Sequence, residues 1–121
     1  MTLQSLYAIS DLKYSEDEFS ATIAFNPEHE IFNGHFPGQP VVPGVILIHI
    51  LKELCSKIVG TDVKLVKGTN IKFLNIIDPR DKTTISISGK YTGTDNDQIY
   101  MNANIRNADQ VNIKFKGIFS Y

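Results

Sequence analysis

The sequence has little cysteine, no tryptophan and no excess of charge of either sign. Cys55 is the single cysteine among 121 residues, so no intramolecular disulfide can form, and no Cys/His spacing typical of a metal site occurs. Lys and Arg total 12 against 13 Asp and Glu, a net charge of −1 that gives no bulk attraction to nucleic acid or to an anionic membrane. We therefore expect no metal, no nucleic-acid partner and a reducing compartment.

Long apolar runs are also absent. The longest, residues 41–51, is interrupted by Pro43, Gly44 and His49, and the N-terminus has no basic segment typical of a signal peptide. These features predict a cytoplasmic protein that does not associate with membranes.

Neither a GxGxxG nor a Walker spacing occurs, and we expect no cofactor. The 42% hydrophobic content excludes a disordered chain and predicts one domain over residues 1–121.

The first half of the chain predicts a strand, an irregular loop and a helix. Residues 19–25 alternate apolar and polar side chains, and residues 28–40 are rich in Pro and Gly. Residues 45–59 then form a run without breakers, Pro43 suits the first helical position and Gly60 the end, and we predict a helix over about 43–59. Because the first two turns of this helix are apolar on every side, we expect them to be buried all round.

The second half predicts strand after strand. Apolar side chains alternate with polar ones around 85–88, 99–105 and 111–115, and residues 64–75 read as one long strand or as two with a break near Gly68. In the last strand Asn112, Lys114 and Lys116 should face water. One apolar helix and one antiparallel sheet with a single buried face predict an α+β fold in which the sheet wraps the helix.

Two histidines fall where the predicted structure is constrained. His35 lies between glycines in the irregular loop, and His49 is the one polar residue in the apolar part of the helix. Gly44 offers a backbone N–H at the helix N-terminus, a suitable place for a developing oxyanion. His29 lies in a charged stretch and is predicted to be surface, and Cys55 is predicted to be a small core residue.

The segment 34–48, GHFPGQPVVPGVILI, resembles the active-site segment of the 3-hydroxyacyl-acyl carrier protein dehydratases of fatty-acid synthesis. A weaker similarity runs through residues 72–81. The resemblance implies the hotdog fold, in which an antiparallel sheet wraps a long central helix. It also implies an obligatory homodimer with each active site across the interface.

The same resemblance implies a role for each matching residue. His35 would remove the proton α to the thioester carbonyl, with its other ring nitrogen held by the carbonyl of Val41. The N–H of Gly44 would bind the thioester oxygen. The acyl chain would lie in an apolar tunnel lined by Val41, Val42 and Ile46.

The chain departs from the family pattern at the helix carboxylate. His49 stands at that position, and the N-terminal Pro-His-Arg stretch is replaced by residues 6–12. These departures indicate a divergent branch, serving a specialised lipid or polyene pathway. A first hypothesis is a dehydratase in which His49 replaces the acid, since imidazole is a competent acid or base. The alternatives are a half-site subunit paired in a heterodimer with a related protein, a hotdog acyl thioesterase, and a binding module without catalysis.

An acyl carrier protein is the expected partner of such an enzyme. Because carrier proteins are acidic, they should meet basic residues near the tunnel mouth. The candidates are Lys64, Lys67, Lys72, Arg80 and Lys82.

Overall fold

A six-stranded antiparallel sheet and one long helix dominate the computed structural model, which describes residues 5–34, 41–79, 84–94, 96–107 and 110–121. The strands follow the order β1-β2-β4-β5-β6-β3. Their bounds are β1 Tyr7–Tyr14, β2 Glu18–Phe25, β3 Lys64–Phe73, β4 Thr84–Gly93, β5 Gln98–Asn107 and β6 Gln110–Ser120. The helices are α1 Ile31–Gly34 and α2 Gly44–Val59.

Local sequence signals set both ends of α2. Pro43 is the N-cap, with extended backbone angles of φ −61° and ψ 142°, so the prediction that it is the first helical residue was wrong by one position. The helix closes at Gly60, whose left-handed φ of 83° lets its N–H donate to the carbonyl of Ser56 at 2.9 Å. The predicted helix is otherwise confirmed.

The sheet covers only one side of α2. The buried side carries Ile46, Leu47, Ile50, Leu51, Leu54 and Cys55. On the other side, Val45 is 75% exposed and His49 is half-buried. The expectation that the first two turns are buried all round is therefore wrong for the single chain, because one curved sheet can cover only one side of a helix.

Apolar side chains alternate along the sheet as the period-two pattern predicts. The inner face includes a row of directly opposed residues, Ile87, Ile105 and Ile113, each at most 1% exposed. Phe115 and Phe119 on β6 add aromatic packing, with their ring centres 5.9 Å apart. Together with the apolar side of α2 these residues form the core, which includes Cys55 as predicted.

Asn112 corrects the prediction for the last strand. It is fully buried, although the alternation places it on the water-facing side. The pairing of β5 with β6 shifts between Ile105, opposite Ile113, and Arg106, opposite Val111, which leaves Asn112 as the extra residue of a bulge. Its side-chain amide donates to the carbonyl of Ile76 at 3.2 Å, and its backbone carbonyl accepts the N–H of Leu74 at 2.7 Å. Asn112 thus fixes the chain that follows β3.

β3 forms one edge of the sheet and, among the described strands, pairs with β6 alone. Nine of its ten residues are exposed, and several apolar side chains on it and just after it are open to solvent. These are Leu65, Val66, Phe73, Leu74 and Ile76. No helix within the described ranges is long and apolar enough to cross a bilayer.

Candidate active site

An apolar cavity of about 340 Å³ lies between the start of α2 and the chain that follows β3. Its lining includes Val41, Val42 and Gly44, three of the four residues predicted to contact the acyl thioester. Ile46, the fourth, does not line it. Its side chain belongs to the core and is 7% exposed. The remaining lining residues are Pro43, Leu47, Phe73, Leu74, Asn75, Ile76, Ile77 and Ile113.

A backbone hydrogen bond holds the entrance to α2 against the opposite wall of the cavity. The N–H of Val42 donates to the carbonyl of Ile77 at 2.9 Å, and Val42 is itself buried. Asn112 holds the same wall from the sheet side, through Ile76. The cavity therefore has two walls that the chain fixes to each other.

Gly44 combines an open backbone donor with close packing against an aromatic ring. Pro43 accepts the first helical bonds, from Ile46 at 3.0 Å and Leu47 at 3.4 Å, and no described residue accepts the N–H of Gly44. A Cβ at this position would lie 2.7 Å from Cε1 of Phe73, inside van der Waals contact. Glycine is thus required for the ring to lie so close to the helix N-terminus.

His49 and Glu53 are one helical turn apart on α2, and both are half-buried. The phenol of Tyr7 donates to Oε1 of Glu53 at 2.5 Å. Burial raises the pKa of Tyr7, and the hydrogen bond to Glu53 and its negative charge add to that rise. Glu53 is thus hydrogen-bonded to a residue of β1, and no described carboxylate is hydrogen-bonded to His49. Sequence reasoning missed this pair because 46 residues separate its members.

His35 lies outside the described residues, but the segment leading to it is described. The prediction that His29 is surface is wrong: the side chain is 6% exposed. Its Nδ1 accepts the N–H of Ile31 at 3.1 Å, at the start of α1. Burial of His29 arises from the tertiary fold, and the charged neighbours in the sequence gave no signal of it.

The outer face of the sheet is basic. Strands β3, β4, β5 and β6 contain seven Lys and Arg residues and no Asp or Glu. Lys72 lies directly opposite Lys114, and Asn70 opposite Lys116. A polar depression of about 310 Å³ is lined by Asn70, Lys72, Asn102, Asn104, Lys114 and Lys116. Of the predicted cations, Lys64, Lys67 and Lys72 share β3, whereas Arg80 and Lys82 lie outside the described residues.

The antiparallel sheet around one helix defines the hotdog class, and the predicted fold is confirmed. The solved structure of the dehydratase heterocomplex ApeI:P from Xenorhabdus doucetiae superposes with a TM-score of 0.69 at 17% identity, covering 94% of this chain and 97% of that one. A thioesterase from Haemophilus influenzae superposes with a TM-score of 0.66 at 14% identity, covering 98% and 80%. At these identities the likeness shows the fold alone.

Sequence comparison gives the family. Residues 11–112 match the model of the ApeI-like family, described as ApeI dehydratase, and the chain belongs to that family. The 3-hydroxyacyl-[acyl-carrier-protein] dehydratase FabZ of Caulobacter sp. (strain K31) is 30% identical over 88 residues, which are 72% of this chain and 49% of that protein. The chain spans about half the length of the curated relatives it matches. The resemblance carried by residues 34–48 is thereby confirmed.

Proposed function

We propose that this chain acts in the dehydration of 3-hydroxyacyl thioesters to enoyl thioesters in lipid synthesis. The observation that carries the proposal is the family match over residues 11–112, which includes His35 and the whole of α2. The structure adds an apolar cavity beside a helix N-terminus whose first N–H has no described acceptor. An acyl chain requires the cavity, and a developing enolate oxygen requires the donor.

The reaction assigns one step to each residue. His35 takes the proton α to the carbonyl, and the N–H of Gly44 stabilises the negative charge that develops on the thioester oxygen. The bond between C3 and the hydroxyl oxygen then breaks. His49 acts as the general acid that gives a proton to the departing hydroxyl, which leaves as water. The acyl chain lies against Val41 and Val42 in the apolar cavity.

The half-site hypothesis is the second candidate, and the environment of His49 favours it. The carboxylate nearest to His49 along α2 is Glu53, which is hydrogen-bonded to Tyr7. The Xenorhabdus structure is that of a heterocomplex, which is the kind of assembly that this hypothesis requires. In such an assembly a related subunit would supply the acid that His49 replaces here.

Dimerisation is part of the proposal in both cases. The open edge of β3, with its exposed apolar side chains, and the 75%-exposed Val45 support a second chain at this side of the molecule. That chain would be a second copy in the homodimer, or a related subunit in a heterodimer.

The proposed carrier of the substrate is an acidic acyl carrier protein. The acid-free outer face of β3, β4, β5 and β6 supports an acidic partner, since Lys72 and Lys114 are directly opposed without a carboxylate on either strand. Of the cations predicted to bind the carrier, Lys72 lines the polar depression on this face.

The deciding experiment incubates the purified protein with 3-hydroxyacyl and enoyl thioesters and measures loss or gain of water by mass spectrometry. We expect turnover by the wild type and a loss of about 10²–10⁴-fold in His35→Ala, because a positioned base contributes that much. Lys57→Ala, an exposed change near the end of α2, is the matched control. Full turnover by His35→Ala would contradict the mechanism.

His49 separates the two candidates. If His49 is the acid of a homodimeric enzyme, the wild type is active and His49→Ala loses most of its activity. If the chain is a half-site subunit, the wild type alone is nearly inactive and His49→Glu gains dehydration by rebuilding the family's His/Glu pair. Equal turnover in all three proteins would remove His49 from the mechanism.

A further inference from the structure

We propose that Asn112 is a positioning residue that sets acyl-chain specificity, because its side chain fixes one wall of the apolar cavity. This inference rests on the proposed function, since it concerns the substrate of that reaction. Neither the family match nor the resemblance of residues 34–48 assigns a role to Asn112. The evidence is a set of hydrogen bonds between this buried residue and residues 74–76, which we call the cavity wall.

Packing within the chain does little to hold the cavity wall. Leu74 is 49% exposed and Ile76 is 65% exposed, and the residue between them is exposed as well. β3 ends just before the wall, so the wall lies outside the hydrogen-bonded ladder of the sheet. Beyond it, the carbonyl of the buried Ile77 accepts the N–H of Val42 at 2.9 Å and ties only the far end. The position of the wall therefore depends on hydrogen bonds.

Asn112 makes most of the hydrogen bonds described for the wall. Its backbone carbonyl accepts the N–H of Leu74 at 2.7 Å and that of Asn75 at 3.2 Å. Its side-chain amide donates to the carbonyl of Ile76 at 3.2 Å and, at the limit of hydrogen bonding, to that of Asn75 at 3.5 Å. The Asn75 amide adds a bond to the carbonyl of Val111 at 3.1 Å. A substitution at position 112 thus leaves the backbone bonds and releases the wall at Ile76.

The side chain of Asn112 is poorly suited to a purely stabilising role. The residue is fully buried, and its Oδ1 accepts no hydrogen bond from any described residue. A buried acceptor without a donor costs free energy, which an apolar side chain of the same size avoids. Polar groups kept at such a cost are typical of functional sites. The part of this side chain that has a partner is the donor, and its partner is the cavity wall.

The cavity wall and the start of α2 line the same cavity, which also contains Val41, Val42 and Gly44. A thioester whose oxygen is held by the N–H of Gly44 places its acyl chain between them. The apolar area that the chain buries grows with its length, so a long chain contacts more of the wall than a short one. Release of the wall should therefore weaken the binding of long acyl chains selectively.

The test uses two substitutions that remove the same amide. Asn112→Leu keeps a similar buried volume and Asn112→Ala reduces it, so an effect common to both reports the hydrogen bond rather than the volume. Both variants should fold, because Ile76 is exposed and water can take the place of the lost donor. The control is Ile23→Val, a loss of one carbon from the core on β2, which β4 and β5 separate from β6.

Specificity is measured with N-acetylcysteamine thioesters of 3-hydroxyoctanoate and 3-hydroxybutyrate. We expect the ratio of kcat/KM for the long substrate to that for the short one to fall about tenfold in both Asn112 variants, through a higher KM for the long substrate. Ile23→Val should keep the wild-type ratio. If either folded Asn112 variant keeps that ratio, or if Ile23→Val loses it to the same extent, the proposal is wrong.

A binding measurement separates this inference from the proposed function. Saturated octanoyl and butyryl thioesters have neither the hydroxyl group nor the double bond, so they can neither lose nor gain water. Their Kd values are measured by calorimetry in the same four proteins. We expect the wild type to prefer the octanoyl thioester, and both Asn112 variants to lose about tenfold of this preference. A wild type without the preference, or variants that keep it, would overturn the role of Asn112. An inactive wild type with the expected binding would instead reject the proposed dehydration alone.

Discussion

At the scale of single residues, Gly44 combines close packing against an aromatic ring with the donor role proposed for its N–H. Cε1 of the Phe73 ring lies 2.7 Å from the position that a Cβ would take, and Gly44 lines the cavity. Phe73 is 57% exposed, so its ring can move aside at little cost. The requirement for glycine is therefore expected to be stronger for activity than for stability.

This expectation is tested with Gly44→Ala and with Gly44→Ala combined with Phe73→Ala. We expect Gly44→Ala to lower stability by about 1 kcal/mol or less, and turnover by tenfold or more because a methyl group enters the cavity beside the donor. The double variant should regain stability and stay slow. Thermal unfolding and kcat are measured on the same samples. Recovery of kcat in the double variant would mean that Gly44→Ala acts only through its steric clash with the ring of Phe73.

Cys55 gives a pH prediction at the same scale. Burial raises the pKa of its thiol from 9.0 to about 11. Because the folded pKa is the higher one, the stabilisation is complete below about pH 9 and is lost as the pH rises through 11. The unfolding free energy of the wild type should therefore fall relative to that of Cys55→Ala by roughly 2 kcal/mol over this window. The unfolding free energies of both proteins are measured by urea titration at each pH. A difference between them that stays constant from pH 9 to 11 would contradict this prediction.

At the scale of elements, the sequence predicted the features that depend on neighbouring residues. Pro43 and Gly60 mark the ends of α2 because caps depend on a few neighbouring residues, and the alternation in β4, β5 and β6 follows from their single buried face. β1 was not predicted, since a shift between Ser10 and Lys13 interrupts its pairing and Asp11 adopts a positive φ of 53°.

What escaped prediction at the site depends on distant parts of the chain. Asn112 is buried because the pairing of β6 with β5 shifts at that point, and the register is a property of two strands. His29 is buried because its turn is fastened to residues before β1. The positions of Val41, Val42 and Gly44 beside one cavity could be anticipated, because they follow one another at the start of α2.

The proposed dimer interface can be tested at the first turn of α2. Val45 is exposed in the first turn of α2, where a carboxylate is compatible with the helix dipole. We expect Val45→Glu to keep the fold and to shift a dimer toward monomer at micromolar concentration, measured by light scattering. Ser86→Glu, an exposed change on the outer face of β4, is the control and should leave the assembly unchanged. A wild type that is monomeric would contradict the proposed dimer.

At the scale of the whole molecule, charge is segregated although the net charge is only −1. Seven of the 12 Lys and Arg residues lie on the four strands that contain no acid. Glu16, Asp17 and Glu18 lie at the other end of the sheet order, where β1 meets β2. The overall balance thus conceals a molecule with a basic face.

The carrier prediction belongs to this scale. Reversing both opposed lysines, Lys72→Glu with Lys114→Glu, should lower kcat/KM for a carrier-bound substrate about tenfold or more at low salt. The same variant should keep its rate on a small thioester without the carrier. Raising the salt concentration should reduce the difference between wild type and variant. An equal loss on both substrates would place the lysines in the fold or the cavity rather than in carrier binding.

The open edge of β3 also bears on how much of this protein a cell can accumulate. Ten residues of strand with unpaired backbone groups and exposed apolar side chains form a template that other copies of the chain can extend. If the proposed second chain covers this edge, a chain made in excess of that partner would keep the edge open and would be prone to aggregate. The yield of folded protein would then follow the supply of the second chain.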